Sequence, residues 1–242
     1  DSVQVRCADG REAWAVAPEV RQVLVFLYNE ALPFQTRKAG SPALLAAQDS
    51  ARGLNLRIRD IDFIDFNFQR TLPHKFSQYG PSLAAADVNA DERTDLFIPG
   101  TRNFPENWLI QREDGSFQAS EVNYKTHPEI EEEDTAALLF DADGDGDPDL
   151  YLARGSGQYE AGDERYRDIL LLNDGRGQFS RATTALPDIR TNTSVVKAAD
   201  YDRDGDLDLF VTNGHVIDNI EQTDDSQSFR QPSQLFLNDG AG

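Results

Sequence analysis

The sequence predicts an all-β protein made of repeated four-stranded sheets. An acidic nine-residue pattern occurs three times, starting at Asp87, Asp141 and Asp200, with an apolar run before and after each copy. A second pattern, an Asp-Gly turn after an apolar segment, follows at nearly the same spacing. No stretch within these repeats sustains the apolar period of a helix. Four short strands in units of roughly 55–60 residues are typical of β-propeller blades.

The first 36 residues predict a small β module of another kind. SVQVRCADGREAWAV (2–16) alternates around Asp9-Gly10, a pair that favours a hairpin turn, and RQVLVFLY (21–28) predicts a further strand. Residues 37–60 predict a linker, because Ala, Ser and Gly are frequent there, and 42–50 predicts a short helix.

The remaining residues, 61–242, predict three blades. Their approximate bounds are 61–132, 133–190 and 191–242. Strands are predicted before and after each acidic pattern, at 82–86 and 96–99, 135–140 and 150–153, and 194–199 and 209–212. The third and fourth strands of each blade flank an Asp-Gly turn, whose glycines are Gly115, Gly175 and Gly240.

Three blades cannot close a ring, because closed propellers use about 4–8. The last repeat also stops at Gly242, two residues before the phenylalanine that would match Phe179. Open blade edges expose unpaired backbone groups. We therefore expect this chain to be ordered only within a longer polypeptide or against partner chains.

The acidic pattern predicts a calcium site. Ca²⁺ binds about 6–8 oxygens and tolerates irregular arrangements, and carboxylates on alternate residues of a tight loop can converge on one ion. The copies read DVNADERTD (87–95), DADGDGDPD (141–149) and DYDRDGDLD (200–208). Positions 1, 3, 5 and 9 would bind through side chains and position 7 through its carbonyl. A single copy could be a solvated turn, but three copies in phase favour the cation site.

Two loops contain four aspartates at the side-chain positions and glycine at position 6. The predicted ligands of these loops are Asp141, Asp143, Asp145 and Asp149 with the carbonyl of Asp147, and Asp200, Asp202, Asp204 and Asp208 with the carbonyl of Asp206. The first loop offers Asp87, Asn89, Asp91 and Asp95 with the carbonyl of Arg93. It has lower charge and Glu92 instead of glycine at the turn, so we expect its ion to be weakly held or absent.

Other sites are disfavoured by the sequence. An EF-hand loop ends in a bidentate Glu at position 12 between helices, whereas position 12 here lies in predicted strands. The histidines are scattered, and no phosphate loop or nucleophile motif occurs. A glycosidase pair is disfavoured because acids that hold a cation are poor proton donors. The acids at 131–133 are interpreted as a solvated edge. We expect no enzyme activity.

The charge limits the partners. Acids outnumber Lys and Arg by 43 to 23, giving a formal charge of −20. Such a field repels nucleic acid and anionic membranes and attracts cations or basic partners. No apolar run approaches the roughly 18 residues that span a bilayer, so no membrane-spanning segment is predicted.

These repeats resemble the FG-GAP/VCBS repeat family, the calcium-loop propellers related to integrin α heads. The matching residues are the acidic loops and LLLNDGRGQF (170–179). The stretches 65–89 and 132–157 are similar to bacterial proteins akin to cartilage acidic protein, and 2–16 resembles the tail of their ASPIC/UnbV domain. The resemblance implies a seven-bladed propeller with calcium in its loops, located outside the cell, on its surface or in the periplasm.

The function expected from this resemblance is non-catalytic. We expect a calcium-stabilised binding or adhesion module for a protein or glycan ligand. One alternative is a glycan-active lyase or hydrolase on a calcium-stabilised propeller. Another is a structural subunit of a surface or outer-membrane assembly, whose partners are the other subunits.

Overall fold

Strands are the main regular element of this computed structural model, which describes residues 2–6, 11–16, 32–33, 52–78, 82–120, 132–160, 162–214 and 231–240. The chain divides into two compact units, Asp1–Ala47 and Gln48–Gly242. In the described residues helical structure is confined to short 3₁₀ turns, including Asp65–Asn67 and Glu164–Tyr166. No helix in this part of the chain is long and apolar enough to cross a membrane.

The first unit contains a three-stranded antiparallel sheet. Its strands are β1 (Ser2–Arg6), β2 (Arg11–Val16) and β3 (Leu32–Pro33), in the order β1-β2-β3. Ser2 lies opposite Val16, so the hairpin predicted around Asp9-Gly10 is confirmed. The strand predicted at 21–28 and the helix predicted at 42–50 lie outside the described residues.

The second unit contains three antiparallel sheets in chain order. The first comprises β4 (Ala84–Ala86), β5 (Asp95–Ile98), β6 (Asn107–Gln111) and β7 (Phe117–Ser120). The second comprises β8 (Asp134–Phe140), β9 (Asp149–Arg154), β10 (Ile169–Asn173) and β11 (Phe179–Arg181). The third comprises β12 (Thr193–Ala199), β13 (Asp208–Asn213) and β14 (Gln234–Phe236). An acidic loop joins the first two strands of each sheet, so the all-β, blade-like fold is confirmed.

Two apolar clusters join these sheets. Leu150 and Leu152 of β9 pack in a cluster with Phe97 and Trp108 of the first sheet. Tyr151, the residue between them, packs in a second cluster with residues of the third sheet, including Leu209 and Val211. Successive side chains of a strand point to opposite faces, and both faces of this sheet are covered. Every residue of β9 is therefore buried, which explains its continuous apolar run.

The third sheet has an apolar face that packs against no other sheet of the described chain. Strand register puts Phe210 and Leu235 in the places that Tyr151 and Leu170 occupy in the second sheet. Tyr151 is 0 % exposed, whereas Phe210 is 50 % exposed and Leu235 39 %. The need for further chain or a partner stays a prediction, and this face supports it because large exposed apolar patches mark interaction surfaces.

The turns between third and fourth strands correct the predicted equivalence of the glycines Gly115 and Gly175. Gln111 pairs with Phe117, and Asn173 pairs with Phe179. Gly115 therefore lies at the place of Gly177, not of Gly175. Both Gly115 and Gly177 have positive φ, 76° and 72°. The position that favours glycine in the first turn is therefore the fourth residue after Gln111, which corresponds to Gly177 in the second turn.

A buried charged network lies at the start of β8, the end opposite its acidic loop. Glu133 is only 5 % exposed and accepts a hydrogen bond from Gln158 Nε2 at 2.7 Å. Arg154 pairs with Glu132 and Asp134 at 3.6 and 3.5 Å. The predicted solvated edge is therefore wrong for Glu133, whose buried carboxyl contacts Gln158 in the segment that follows β9. Burial and the nearby Asp60 raise the pKa of Glu133 to about 8, which leaves its carboxyl protonated near neutral pH.

Candidate metal centre

The second and third acidic loops each bring three carboxylates together. Oxygen atoms of Asp141, Asp143 and Asp149 lie within 4.8 Å of one another. These are positions 1, 3 and 9 of the loop. The same positions converge in the third loop, which is formed by Asp200, Asp202 and Asp208. Clustered carboxylate oxygens are the ligands of a hard cation, so both donor sets fit Ca²⁺.

Positions 5 and 7 lie outside these carboxylate groups. Asp145 and Asp204 are exposed, and neither belongs to the groups that converge. The carboxylate of Asp147 lies so close to Gly175 that a Cβ at that glycine would overlap it, and Asp206 is placed likewise against Gly240. The side chain at position 7 therefore contacts the next turn. The predicted binding through the position 7 carbonyl and the position 5 carboxylate stays a prediction.

The first and second loops curl around the carboxylate at position 1. Asp141 accepts hydrogen bonds from the N–H groups of Gly144 and Gly146, at 2.8 and 3.0 Å. Positive φ occurs at positions 4 and 6 of every loop: Ala90 57°, Glu92 62°, Gly144 78°, Gly146 94°, Arg203 68° and Gly205 108°. The predicted need for a left-handed residue at position 6 is confirmed, and Glu92 adopts that conformation despite its Cβ.

A substitution at Gly146 tests this conformation alone, because a Cβ there would have no heavy atom within 4 Å. We expect Gly146→Ala to lower the free energy of unfolding by about 1 kcal/mol, from the cost of positive φ less the reduced entropy of the unfolded chain. The reciprocal Glu92→Gly should raise it by a similar amount. Urea unfolding at saturating calcium measures both. Unchanged stability in the two variants would contradict the strained turn.

The aspartates at position 9 have a second, structural role. Asp149 accepts the N–H of Ala142 through Oδ2 and that of Asn173 through Oδ1, both at 2.8 Å. Asp95 and Asp208 make the equivalent pairs of bonds. Burial raises the pKa of Asp149 to about 6, against the lowering by the two N–H groups. In the third sheet, which is covered on one face only, the N–H groups of Asn238 and Tyr201 prevail and lower the pKa of Asp208.

Two asparagines that the sequence interpretation overlooked join neighbouring sheets. Asn173 Nδ2 donates to the carbonyl of Val88 in the loop of the preceding sheet, at 2.9 Å. Asn238 Nδ2 donates to the carbonyl of Ala142 in the same way, at 2.8 Å. The repeated Asn-Asp-Gly was the available signal, but it was interpreted only as a hairpin turn. Each asparagine is therefore a clamp, that is, a side chain that hydrogen-bonds its own blade to the acidic loop of the preceding blade.

The first loop departs from the other two. It has Asn89 at the place of Asp143 and Asp202. Its Asp91 forms an ion pair with Arg93, whose Nη2 lies 2.7 Å from Asp91 Oδ2. Asp87 and Asn89 accept only backbone N–H groups of the loop in the bonds described.

Comparison with family models finds the FG-GAP-like repeat twice, at residues 87–152 and 141–211. The two matches together cover residues 87–211, which is more than half of the chain, and they include all three acidic loops. A comparison with curated proteins finds no match.

Proposed function

Because the chain belongs to the FG-GAP-like repeat family, we propose that it is a non-catalytic, calcium-stabilised binding or adhesion module. It acts outside the cell, on the cell surface or in the periplasm. The observation that carries the proposal is the pair of carboxylate groups in equivalent loops of successive blades. A metal ion bound there would hold the acidic loop between the first two strands of one blade in place, which is a structural role.

The chain's own residues explain how an ion would stabilise the blades. Asp141, Asp143 and Asp149 hold like charges close together, and Asp149 also fixes the backbone of β10 through Asn173. Bound Ca²⁺ supplies the positive charge that neutralises these carboxylates. The loop then keeps its curled form, and the buried N–H groups keep their acceptor.

A glycan is the ligand that one cavity favours. It measures about 560 Å³ and lies along β8 and β12, within the size range of small-molecule sites. Phe76 offers an apolar ring, and Glu133 and Asn192 offer polar groups. The exposed Ser194 and Lys197 also line the cavity and offer a hydroxyl and an ammonium group. Sugar hydroxyls can donate to and accept from such groups.

A glycan array probed with the full-length protein at saturating calcium tests the proposal, together with a turnover assay on every glycan that binds. We expect binding without product, and Ser194→Ala to weaken it about tenfold through one lost hydrogen bond. Ser180→Ala, an exposed position on β11, is the matched control. Released sugar would contradict the non-catalytic role and favour the glycan-active enzyme. A blank array would contradict the glycan ligand and favour a protein ligand or a subunit role in an assembly.

The finer relationship is also part of this proposal. The similarity of 65–89 and 132–157 to bacterial proteins akin to cartilage acidic protein, and of 2–16 to an ASPIC/UnbV domain, supports a bacterial surface protein. The same similarity supports a seven-bladed ring, of which these sheets would be three blades.

A further inference from the structure

We propose that the first acidic loop closes without metal, because the guanidinium of Arg93 neutralises the carboxylate of Asp91 and joins it to the end of β6. The inference rests on the proposed calcium role of the other two loops. It makes the three loops chemically different members of one series, two closed by an ion and one closed by a side chain.

The position of the guanidinium carries the proposal. Arg93 Nη2 lies 2.7 Å from Asp91 Oδ2, and Nε donates to the carbonyl of Gln111 at 3.1 Å. One cation thus joins the carboxylate at position 5 to the end of β6. Both side chains are half-buried, with Arg93 33 % exposed and Asp91 24 %. A planar guanidinium with several donors suits such bridging.

The rest of the donor set in the first loop is unsuited to a divalent ion. Position 3 is an amide, Asn89, and position 7 is the cationic Arg93 where the other loops have Asp147 and Asp206. The loop 87–95 contains four acids and one arginine, a formal charge of −3, against −5 for 141–149 and −4 for 200–208. A fixed positive charge beside the loop carboxylates repels a second cation.

The second and third loops lack this arrangement. Within the residues that the structure describes, their carboxylates form no ion pair with lysine or arginine. Arg203 belongs to the third loop but stands at position 4, where it is exposed and forms none of these pairs. The position of the arginine within the loop, rather than its presence, therefore decides whether the loop needs an ion.

The consequence is a calcium-independent loop in the first blade. When calcium is removed, the carboxylates of the second and third loops lose their counter-charge, whereas Asp91 retains its own. We expect the first loop to keep its structure under conditions that loosen the other two.

Calcium stoichiometry, measured by native mass spectrometry and equilibrium dialysis on the whole chain, tests the inference. The wild type should bind two ions, and Arg93→Asp, which restores the residue of the other loops, should bind three. Glu92→Gly in that background removes the cost of positive φ with and without the ion, so it should leave the number at three. Arg203→Asp makes the same charge change in the third loop and should leave the number at two.

Arg93→Gln guards against misfolding of the aspartate variant, because it frees Asp91 without adding a charge, and it should also bind a third ion. Three ions on the wild type would contradict this inference alone. Two ions on both Arg93 variants, with wild-type circular dichroism, would also contradict it. A wild type that binds no calcium would instead contradict the proposed calcium role, and this inference with it.

Discussion

Excess EGTA should lower the melting temperature of the calcium-loaded protein by about 10–20 °C. An ion that binds only the folded state contributes about 2.7 kcal/mol at a concentration of 100 times its Kd. Two such sites contribute about 5 kcal/mol, and each kcal/mol shifts the melting temperature of a domain of this size by about 2–4 °C. The repulsion among Asp141, Asp143 and Asp149 returns when the ion leaves, so the loss falls on the folded state.

Differential scanning calorimetry with EGTA, and with EGTA already saturated by calcium as the control, measures this shift. Asp141→Asn should remove about half of it, because the third loop keeps its ion. A melt that does not respond to EGTA would contradict structural calcium in both loops.

Replacing Asp149 by alanine should cost about 2–6 kcal/mol even without calcium. Asp149 is fully buried, and its two oxygens accept the N–H groups of Ala142 and Asn173. The substitution leaves both groups without an acceptor, and each buried unsatisfied group costs about 1–3 kcal/mol. The loss would separate the acidic loop from β10 within one sheet.

The control for this variant lies in the same loop. Asp145 is exposed, and its carboxylate accepts one described hydrogen bond, from the N–H of Asp147 at 2.9 Å. Asp145→Ala should therefore cost less than about 1 kcal/mol in EGTA. Urea unfolding of both variants in EGTA separates the structural role of Asp149 from ion binding. Equal losses in the two variants would contradict that structural role.

The strands and loops were predictable because their causes are local. Alternating or continuous apolar runs and the in-phase aspartates located the first and second strands of every blade, and the convergence of positions 1, 3 and 9 follows from the loop's own curl. Position 6 was predictable for the same reason, since a tight turn needs positive φ there.

The remaining features depend on contacts between blades or on side-chain orientation. Asn173 contacts Val88, 85 residues away, and no spacing in the sequence predicts that contact. Glu133 is buried and contacts Gln158, 25 residues away, which a run of three glutamates does not indicate. The sequence suggested the carbonyl of Arg93 as a ligand, whereas the direction of its guanidinium is known only once the loop is folded.

The asparagine clamps make the structural unit different from the sequence repeat. The loop that begins at Asp141 accepts a hydrogen bond from Asn238, which belongs to the next repeat, and the loop that begins at Asp87 accepts one from Asn173. A graft that moved one sequence repeat into another scaffold would carry an acidic loop without its clamp and a clamp without its loop. The segment to transplant, or to exchange by recombination, therefore begins at one acidic loop and extends through the Asn-Asp-Gly turn of the following repeat. Two successive segments of this kind share the residues between the second acidic loop and that turn.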